Sequence, residues 1–555
     1  MPPLKPRAGL PTHEVVNTPP HMGGQDLWSG DTALREGVAR EGATWTRERM
    51  ETFGRLSGSA ETLEKANDAN RHAPELKAFD RYGMRINEVA FHPAYHDLMS
   101  LAFANEIPNF AWRHRRPGAQ VAHMALSYML NQAEGGVMCP MAMTYAAIPV
   151  LVGAKGTPAG FVDKTLSNAY DLRDIPWTDK SGATVGMFMT EKQGGSDVRA
   201  NTTRALAETT TSGPGASYRL TGHKFFCSAP MSDAFLALAY TDAGLSCFFI
   251  PRWTPDGERN AFYIQRLKDK LGNRSNASAE IEFDGTHAVM IGEEGRGVRT
   301  IIDMVQGTRI YCAVGSASLM RQAVVQALHH TAHRSAFQKR LIDQPLMKNV
   351  LADLALESEA ALVLWLRLAR ALDEAPHDES AAALARIGTA TAKYWICKRA
   401  PAHVFEAMEC HGGPGYVEDS ILPRLYREAP VNSIWEGSGN IMCLDVLRAM
   451  SREPDALEAL LAECEAARGG NATLDHALIR LKGDIASNSS IESRARRITE
   501  AMAVCWQAAL LVRHAPSYVA DAFCASRLGE HWTGAYGTLP SGADLDAIIA
   551  RARPN

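Results

Sequence analysis

The spacing of apolar side chains changes twice along the chain, near residue 184 and again near 296, and each change predicts a change of architecture. Over 31–183 apolar residues recur at helical intervals. Asp31 stands where it caps a segment through Leu34 to Val38, and Val121 to Leu130 is almost wholly apolar, the pattern of a buried helix. From 184 the period shortens to two. Tyr218-Arg219-Leu220-Thr221 alternates, Gly222 interrupts, and Phe225-Phe226-Cys227 continues; Cys247 to Ile250 and Ala279 to Phe283 also read as strands. A compact β domain over 184–295 is predicted, ending at the glycine-rich Gly292-Glu293-Glu294-Gly295-Arg296-Gly297. Helical spacing resumes over 296–450, where Leu351, Leu354, Ser358, Leu362, Trp365, Ala369 and Leu372 mark one buried face and Gly412-Gly413-Pro414-Gly415 a helix stop. Asp455–Arg468, Leu474–Lys482, Ser490–Val512 and Ser517–Leu528 predict a further helical unit over 451–555. Residues 1–30, broken by Pro2, Pro3, Pro6, Pro11, Pro19 and Pro20, predict an extended arm.

A length of 555 residues is too great for one core, and 46% hydrophobic with 22% charged residues describes a globular protein of several domains. The net charge of −4 gives no overall attraction to nucleic acid or an anionic membrane, so binding of that kind needs a local patch. Ten cysteines without a C-x-x-C pair argue against a disulfide framework or zinc ribbon and fit reduced thiols in the cytoplasm. The proline-broken N-terminus has no apolar stretch of a signal peptide, and no run suits a membrane span. His329, His330 and His333 have helical metal-ligand spacing but lack the carboxylate of H-E-x-x-H, so no metal is expected.

Three short segments carry candidate chemistry. Thr190-Glu191-Lys192-Gln193-Gly194-Gly195-Ser196-Asp197 is a small-polar, glycine-rich loop, able to bring amides and hydroxyls against a flat, phosphate-bearing cofactor. Phe226-Cys227-Ser228 puts an aromatic ring and a hydroxyl two residues apart on a strand. Ile434-Trp435-Glu436-Gly437-Ser438-Gly439-Asn440 holds one carboxylate between a large aromatic and a flexible turn, a mounting that raises a carboxyl pKa enough to take a proton. Singly these are a surface turn, strand core and an isolated glutamate; their order along one chain is what makes them informative.

Together they resemble the flavin loop, the flavin-stacking strand and the catalytic-base loop of acyl-CoA dehydrogenases. The wording MTEKQGGSDVRANTT and PVNSIWEGSGNIMCLDVLR is most similar to the AidB branch of that family, linked to the adaptive response to alkylation. The resemblance implies an α+β multidomain architecture: the acyl-CoA dehydrogenase fold of N-terminal helical domain, middle β-barrel and C-terminal helical bundle, with an additional C-terminal helical domain. It implies FAD as cofactor, with Thr190 at the flavin pyrimidine, Ser196 at phosphate, Phe226 stacked on the isoalloxazine and Ser228 near N5. Met187, Met189, Gly195, Cys227, Ile434, Trp435 and Gly437 complete that set, and Ser438 and Asn440 touch the adenosine and pyrophosphate end. Arg334 with Phe337 resembles an R-x-x-F-G element that reaches a neighbouring subunit's FAD, although Gln338 replaces its glycine. Glu409, where the family often has glutamine, and Gly412 and Gly413 fall in the same group. These imply a homo-oligomer, commonly a tetramer.

Glu436 is the implied base, removing an α-proton from an acyl thioester while hydride leaves Cβ for flavin N5. Trp435 stands where the family usually has tyrosine; with Arg309 it is assigned to the substrate pocket, and the indole is either a narrowing of the acyl tunnel or a conservative exchange. AidB-type proteins are reported to bind double-stranded DNA through the C-terminal region. Here 451–555 holds eleven basic against thirteen acidic residues, and Arg494, Arg496 and Arg497, joined by Arg513 or Arg527, form the one candidate patch. Three readings follow: protection of DNA against alkylation, by destroying alkylating agents or with residual isovaleryl-CoA-like dehydrogenase activity; a metabolic short- or branched-chain acyl-CoA dehydrogenase; or a DNA-binding module with a structural flavin.

Overall fold

The computed structural model describes residues 12–487, 490–529 and 532–554. Its first helix, Thr32–Arg40, begins where Asp31 accepts a hydrogen bond from the Leu34 amide at 3.0 Å. All fifteen side chains of the helix Ala119–Ala133 are buried. The stretch read as helical throughout also contains a hairpin, Glu75–Phe79 with Arg85–Ala90. Its cause lies far away in the chain. The Ile264 amide donates to Asn87 Oδ1, and Asn87 Nδ2 and Arg85 Nη1 donate to the carbonyls of Phe262 and Ile264, so the hairpin is held against the edge of the β domain.

Seven strands curl into that β domain. Ser217–Ser228 pairs antiparallel with Ser278–Ile291, and Gly244–Pro251 pairs with both Ala234–Thr241 and Ser278–Ile291. Val185–Phe188 runs parallel to Ala234–Thr241. Alternation sends Phe188, Tyr218, Cys227, Phe235 and Phe248 into the barrel interior, where Phe188 stacks on Phe235 at 4.1 Å. Met187, Met189, Phe226 and Ser228 fall on the other face.

Behind the barrel the helix Gly297–His333 runs its 37 residues unbroken, about 55 Å. Helices Pro345–Glu374 and Glu379–Glu409 pack beside it. Leu351 through Ala369 of the expected face are buried, and Leu372 is half-buried. Of the helices beyond 451, Pro454–Glu465, Ala495–His514, Ser517–Arg527 and Leu545–Ala552 lie directly on this pair, and Ala472–Ala486 packs on Ala495–His514 and Ser517–Arg527, all within one continuous apolar core. Gly388 makes that contact close: a Cβ there would come within 2.9 Å of the Trp506 ring. Arg527 is buried between Asp353 and Glu357, with Arg399 on the same glutamate at 3.2 Å. At the far side Arg551 bridges Glu36 and Glu359, while Arg321 donates to the carbonyls of Gly30 and Ala552. No helix among the described residues is long and apolar enough to cross a membrane.

Candidate active site

The glycine-rich loop is held from beneath by a buried ion pair. Glu191 accepts from the Thr202 and Thr203 amides and hydroxyls, and Lys224 Nζ lies 2.8 Å from Glu191 Oε1 with neither side chain exposed. Burial pushes the Glu191 carboxyl up, but the Lys224 ammonium and these hydrogen bonds prevail and hold it at about 2. Thr190 is thereby fixed against the strand end, its carbonyl accepting from the Phe225 amide at 2.8 Å. The Thr190 hydroxyl is buried without a partner, Gly195 and Ser196 are exposed, and Phe226 exposes 48% of its surface. An orphaned hydroxyl beside an uncovered ring and open glycine backbone fits a flat, polar-edged ligand of the flavin kind.

The base loop is fixed more tightly. Glu436 takes φ 58° and Gly437 φ 103°, and left-handed backbone at a glutamate is a strained turn that its surroundings must impose. Arg309 Nε donates to the Glu436 carbonyl at 3.0 Å, Lys393 Nζ to the Gly437 carbonyl at 2.7 Å, and Asp445 holds Arg309 at 2.9 Å. The Glu436 carboxylate accepts from the Thr308 hydroxyl at 2.8 Å. Burial raises its pKa, opposed by Thr308, Lys393 and Arg309. Since the hydroxyl stabilises the ionised form, Thr308→Val is expected to raise that pKa further. A base acts deprotonated, so the acidic limb of a rate–pH profile for flavin reduction moves to higher pH in the variant; an unmoved limb counts against Glu436 as the titrating group.

Cys139, at the start of helix Met138–Gly153, joins the two loops. Its thiol, pushed up to about 12 by burial, has Ser228, Asn276, Lys270 and Glu436 among its electrostatic neighbours. Ser228 and Glu436 are thus both neighbours of Cys139. Trp435 sits beside them, its indole N–H buried against Cys312, and Ile434 is 65% exposed.

Other expected residues are placed differently. Arg309, assigned to the substrate pocket, is 7% exposed and committed to the Glu436 carbonyl and Asp445. Cys227 points into the barrel, away from Phe226 and Ser228, because strand alternation reverses it. Ser438 precedes the helix Gly439–Arg452, and Asn440 Oδ1 accepts from Arg496 Nε at 2.8 Å. Arg494 donates to the carbonyls of Asp484 and Ser487, and Arg497 pairs with Asp484. Arg527 is buried and Arg513 approaches Glu463 at 3.8 Å, so neither extends a basic face.

Arg334, Phe337, Glu409, Gly412 and Gly413 lie elsewhere. They gather at the end of helix Gly297–His333, where the His330 and His411 rings meet at 4.5 Å. Thr308, at the base, is 22 residues back along that helix, about 33 Å, so this group and Glu436 do not meet in one chain. Arg334 donates to the Asn17 carbonyl at 2.7 Å, and Asn17 also exchanges two hydrogen bonds with Ser335, fastening the extended arm. Phe337, 96% exposed, projects from a hairpin tip where Phe337 and Gln338 both take positive φ, the second at the position for which glycine was expected.

Sequence reasoning missed Thr308, Lys393, Lys224, Glu191 as an anchor, and Cys139. Thr308-Arg309 inside a buried helix stretch was the available signal.

Three family models match the chain: the adaptive response protein AidB N-terminal domain over 17–172, the acyl-CoA dehydrogenase middle domain over 186–286 and the acyl-CoA dehydrogenase C-terminal domain over 295–451. AidB of Escherichia coli (strain K12) is 46% identical over 517 residues, covering 92% of this chain and 94% of that protein. Acyl-CoA dehydrogenase family member 11 of Caenorhabditis elegans is 30% identical over 84% of this chain and 80% of its own. The crystal structure of Caenorhabditis elegans ACDH-11 in complex with C11-CoA superimposes with a TM-score of 0.84 at 27% identity, covering 96% of each chain.

Proposed function

From a chain that belongs to the acyl-CoA dehydrogenase family and carries its AidB-type N-terminal domain, we propose an FAD-dependent oxidation of an acyl thioester at Cα–Cβ, with Glu436 as base. FAD is the cofactor of this family; when bound it supplies the acceptor for the hydride leaving Cβ. The observation that carries the reading is the Glu436 carboxylate on a left-handed turn held by Thr308, Arg309 and Lys393. Met187, Met189, Thr190, Gly195, Ser196 and Phe226 would hold the ring, with the Ser228 hydroxyl assigned to its N5 edge. Glu436 would take the α-proton of the thioester, its carboxyl tuned upward by burial. Trp435 walls the acyl side. Arg309, Lys393 and Asp445 keep the strained turn in place. Anaerobic addition of isovaleryl-CoA tests the reading: the expected result is bleaching of the flavin absorbance. No bleaching with isovaleryl-CoA or with a C11 thioester overturns it.

The spacing of about 33 Å along the helix between Thr308, beside the base, and His330, beside this group, supports a homo-oligomer, a tetramer by the family's habit, in which Arg334, Phe337, Glu409, Gly412 and Gly413 complete a neighbour's FAD site.

The AidB-type role, protection of DNA against alkylation, is the finer part of the proposal, with duplex DNA bound at Arg494, Arg496 and Arg497. Every cysteine in the chain is buried, which favours oxidation at the flavin over alkyl transfer to a thiol. Charge reversal of the three arginines is expected to lessen the salt dependence of duplex affinity by about two to three counterions. An unchanged slope removes that surface from the proposal.

A further inference from the structure

Beside the proposed flavin edge lies a lysine that the reaction as described does not use. Lys270 occupies the turn between strands Phe262–Leu267 and Ser278–Ile291. Its Nζ donates to the Asn276 carbonyl at 2.5 Å and to Ser278 Oγ at 3.0 Å. Ser278 Oγ stands 3.0 Å from Ser228 Oγ. An unbroken line of exchangeable protons therefore runs from the lysine to the hydroxyl assigned to N5.

The neighbouring Lys268 shows what an ordinary lysine does here. It pairs with Glu280 at 2.7 Å and lies over the Phe225 ring. No ion pair of Lys270 occurs among the described residues. The titratable groups that face it are Cys139 from helix Met138–Gly153 and Glu428 from helix Leu422–Asn432, with Glu436 beyond Cys139. Glu428 is itself pushed to about 7 by burial and by Glu134, with the Asn273 amide and the Arg424 guanidinium opposing. Burial draws Lys270 down to about 8, against the raising effect of Cys139 and Glu428, so the amine is available as a proton acceptor just above neutrality.

We propose that Lys270 is a positioning residue that acts through Ser278 and Ser228, receiving the flavin N5 proton when electrons leave the reduced cofactor. The inference rests on the assignment of Ser228 to N5. The balance is simple. Two electrons pass singly to a one-electron acceptor and the N5–H bond breaks. Ser228 takes that proton as it gives its own to Ser278, Ser278 gives its own to Lys270, and the Lys270 amine becomes an ammonium.

The test uses FAD-loaded protein without any acyl-CoA. Potentiometric titration of the flavin across pH 6–10 is expected to show the proton uptake per two electrons dropping below one near pH 8 in wild type, because reduction draws the N5 proton from the Lys270 ammonium instead of from solvent. Lys270→Arg keeps the charge and has no neutral form in that range, so uptake stays at one throughout. Ser278→Ala leaves Lys270 in place but breaks the line; dithionite-reduced protein is expected to reoxidise with ferrocenium at least about tenfold more slowly above pH 8. Indistinguishable pH slopes in wild type and Lys270→Arg overturn the proposal, as does an unchanged reoxidation rate in Ser278→Ala. Failure of the base assignment is separate: it appears as absent bleaching by acyl-CoA with the pH slopes intact.

Discussion

Replacing Glu436 with glutamine is expected to slow anaerobic flavin reduction by an acyl-CoA by roughly a thousandfold or more, with FAD retained at wild-type stoichiometry. Positioned general-base catalysis contributes about 10² to 10⁴ in rate, and Glu436, whose carboxyl burial pushes up, is the proposed base. Glutamine removes the charge and the basicity but little else. Its amide oxygen still accepts from Thr308, and the Arg309 and Lys393 bonds go to backbone carbonyls that the substitution leaves alone. The turn, with φ 58° at this position, therefore keeps its support. Stopped-flow absorbance measures reduction, and the spectrum of the purified variant measures flavin content. A variant that bleaches at the wild-type rate places the base elsewhere; one that purifies without FAD shows that Glu436 serves binding instead.

The second large effect is structural. Glu191→Ala is expected to destabilise the β domain by about 3–5 kcal/mol, because it leaves Lys224 buried and uncompensated. It also strips the Thr202 and Thr203 donors of their acceptor. Thr190 and Gly195 are carried by the same loop, so FAD should dissociate more readily as well. Thermal unfolding followed by flavin release reads both, and a variant with wild-type midpoint and flavin content would remove the pair from the account. The pH dependence has a defined sign. Glu191 is held at about 2, below its unfolded value near 4.5, so its stabilisation is present above about pH 4.5 and fades as pH falls toward 2.

The local chemistry of the site was legible in the sequence because its motifs are contiguous. A glycine-rich polar loop, an aromatic and a hydroxyl on one strand face, and a carboxylate in a Gly-Ser-Gly turn each specify their geometry over a few residues. What joins them was not legible. The left-handed turn at Glu436 depends on Arg309 and Lys393, 127 and 44 residues away, and no local pattern shows that an arginine beside the site will face its backbone. The hairpin Glu75–Phe79 with Arg85–Ala90 escaped a helical reading because its hydrogen-bond partners lie 175 to 179 residues downstream. The helical segments read beyond 451 also suggested a further unit. Its helices share a core with Pro345–Glu374 and Glu379–Glu409, so those two helices are apolar around most of their circumference, which the single stripe picked out at Leu351 to Leu372 understates.

The bridge from Arg551 to Glu36 has a bearing on how the molecule is made. A nascent chain leaves the ribosome N-terminus first, at about 5–20 residues per second. The first helix meets its guanidinium only after the 515 residues that separate them have been translated, an interval of roughly half a minute to two minutes. Until then Glu359, whose carboxyl burial pushes up, sits at that seam without its counter-ion. The first helix therefore lacks this contact until residue 551 has been made, and a truncation that removes Leu545–Ala552 should leave it open to proteases at Thr32–Arg40.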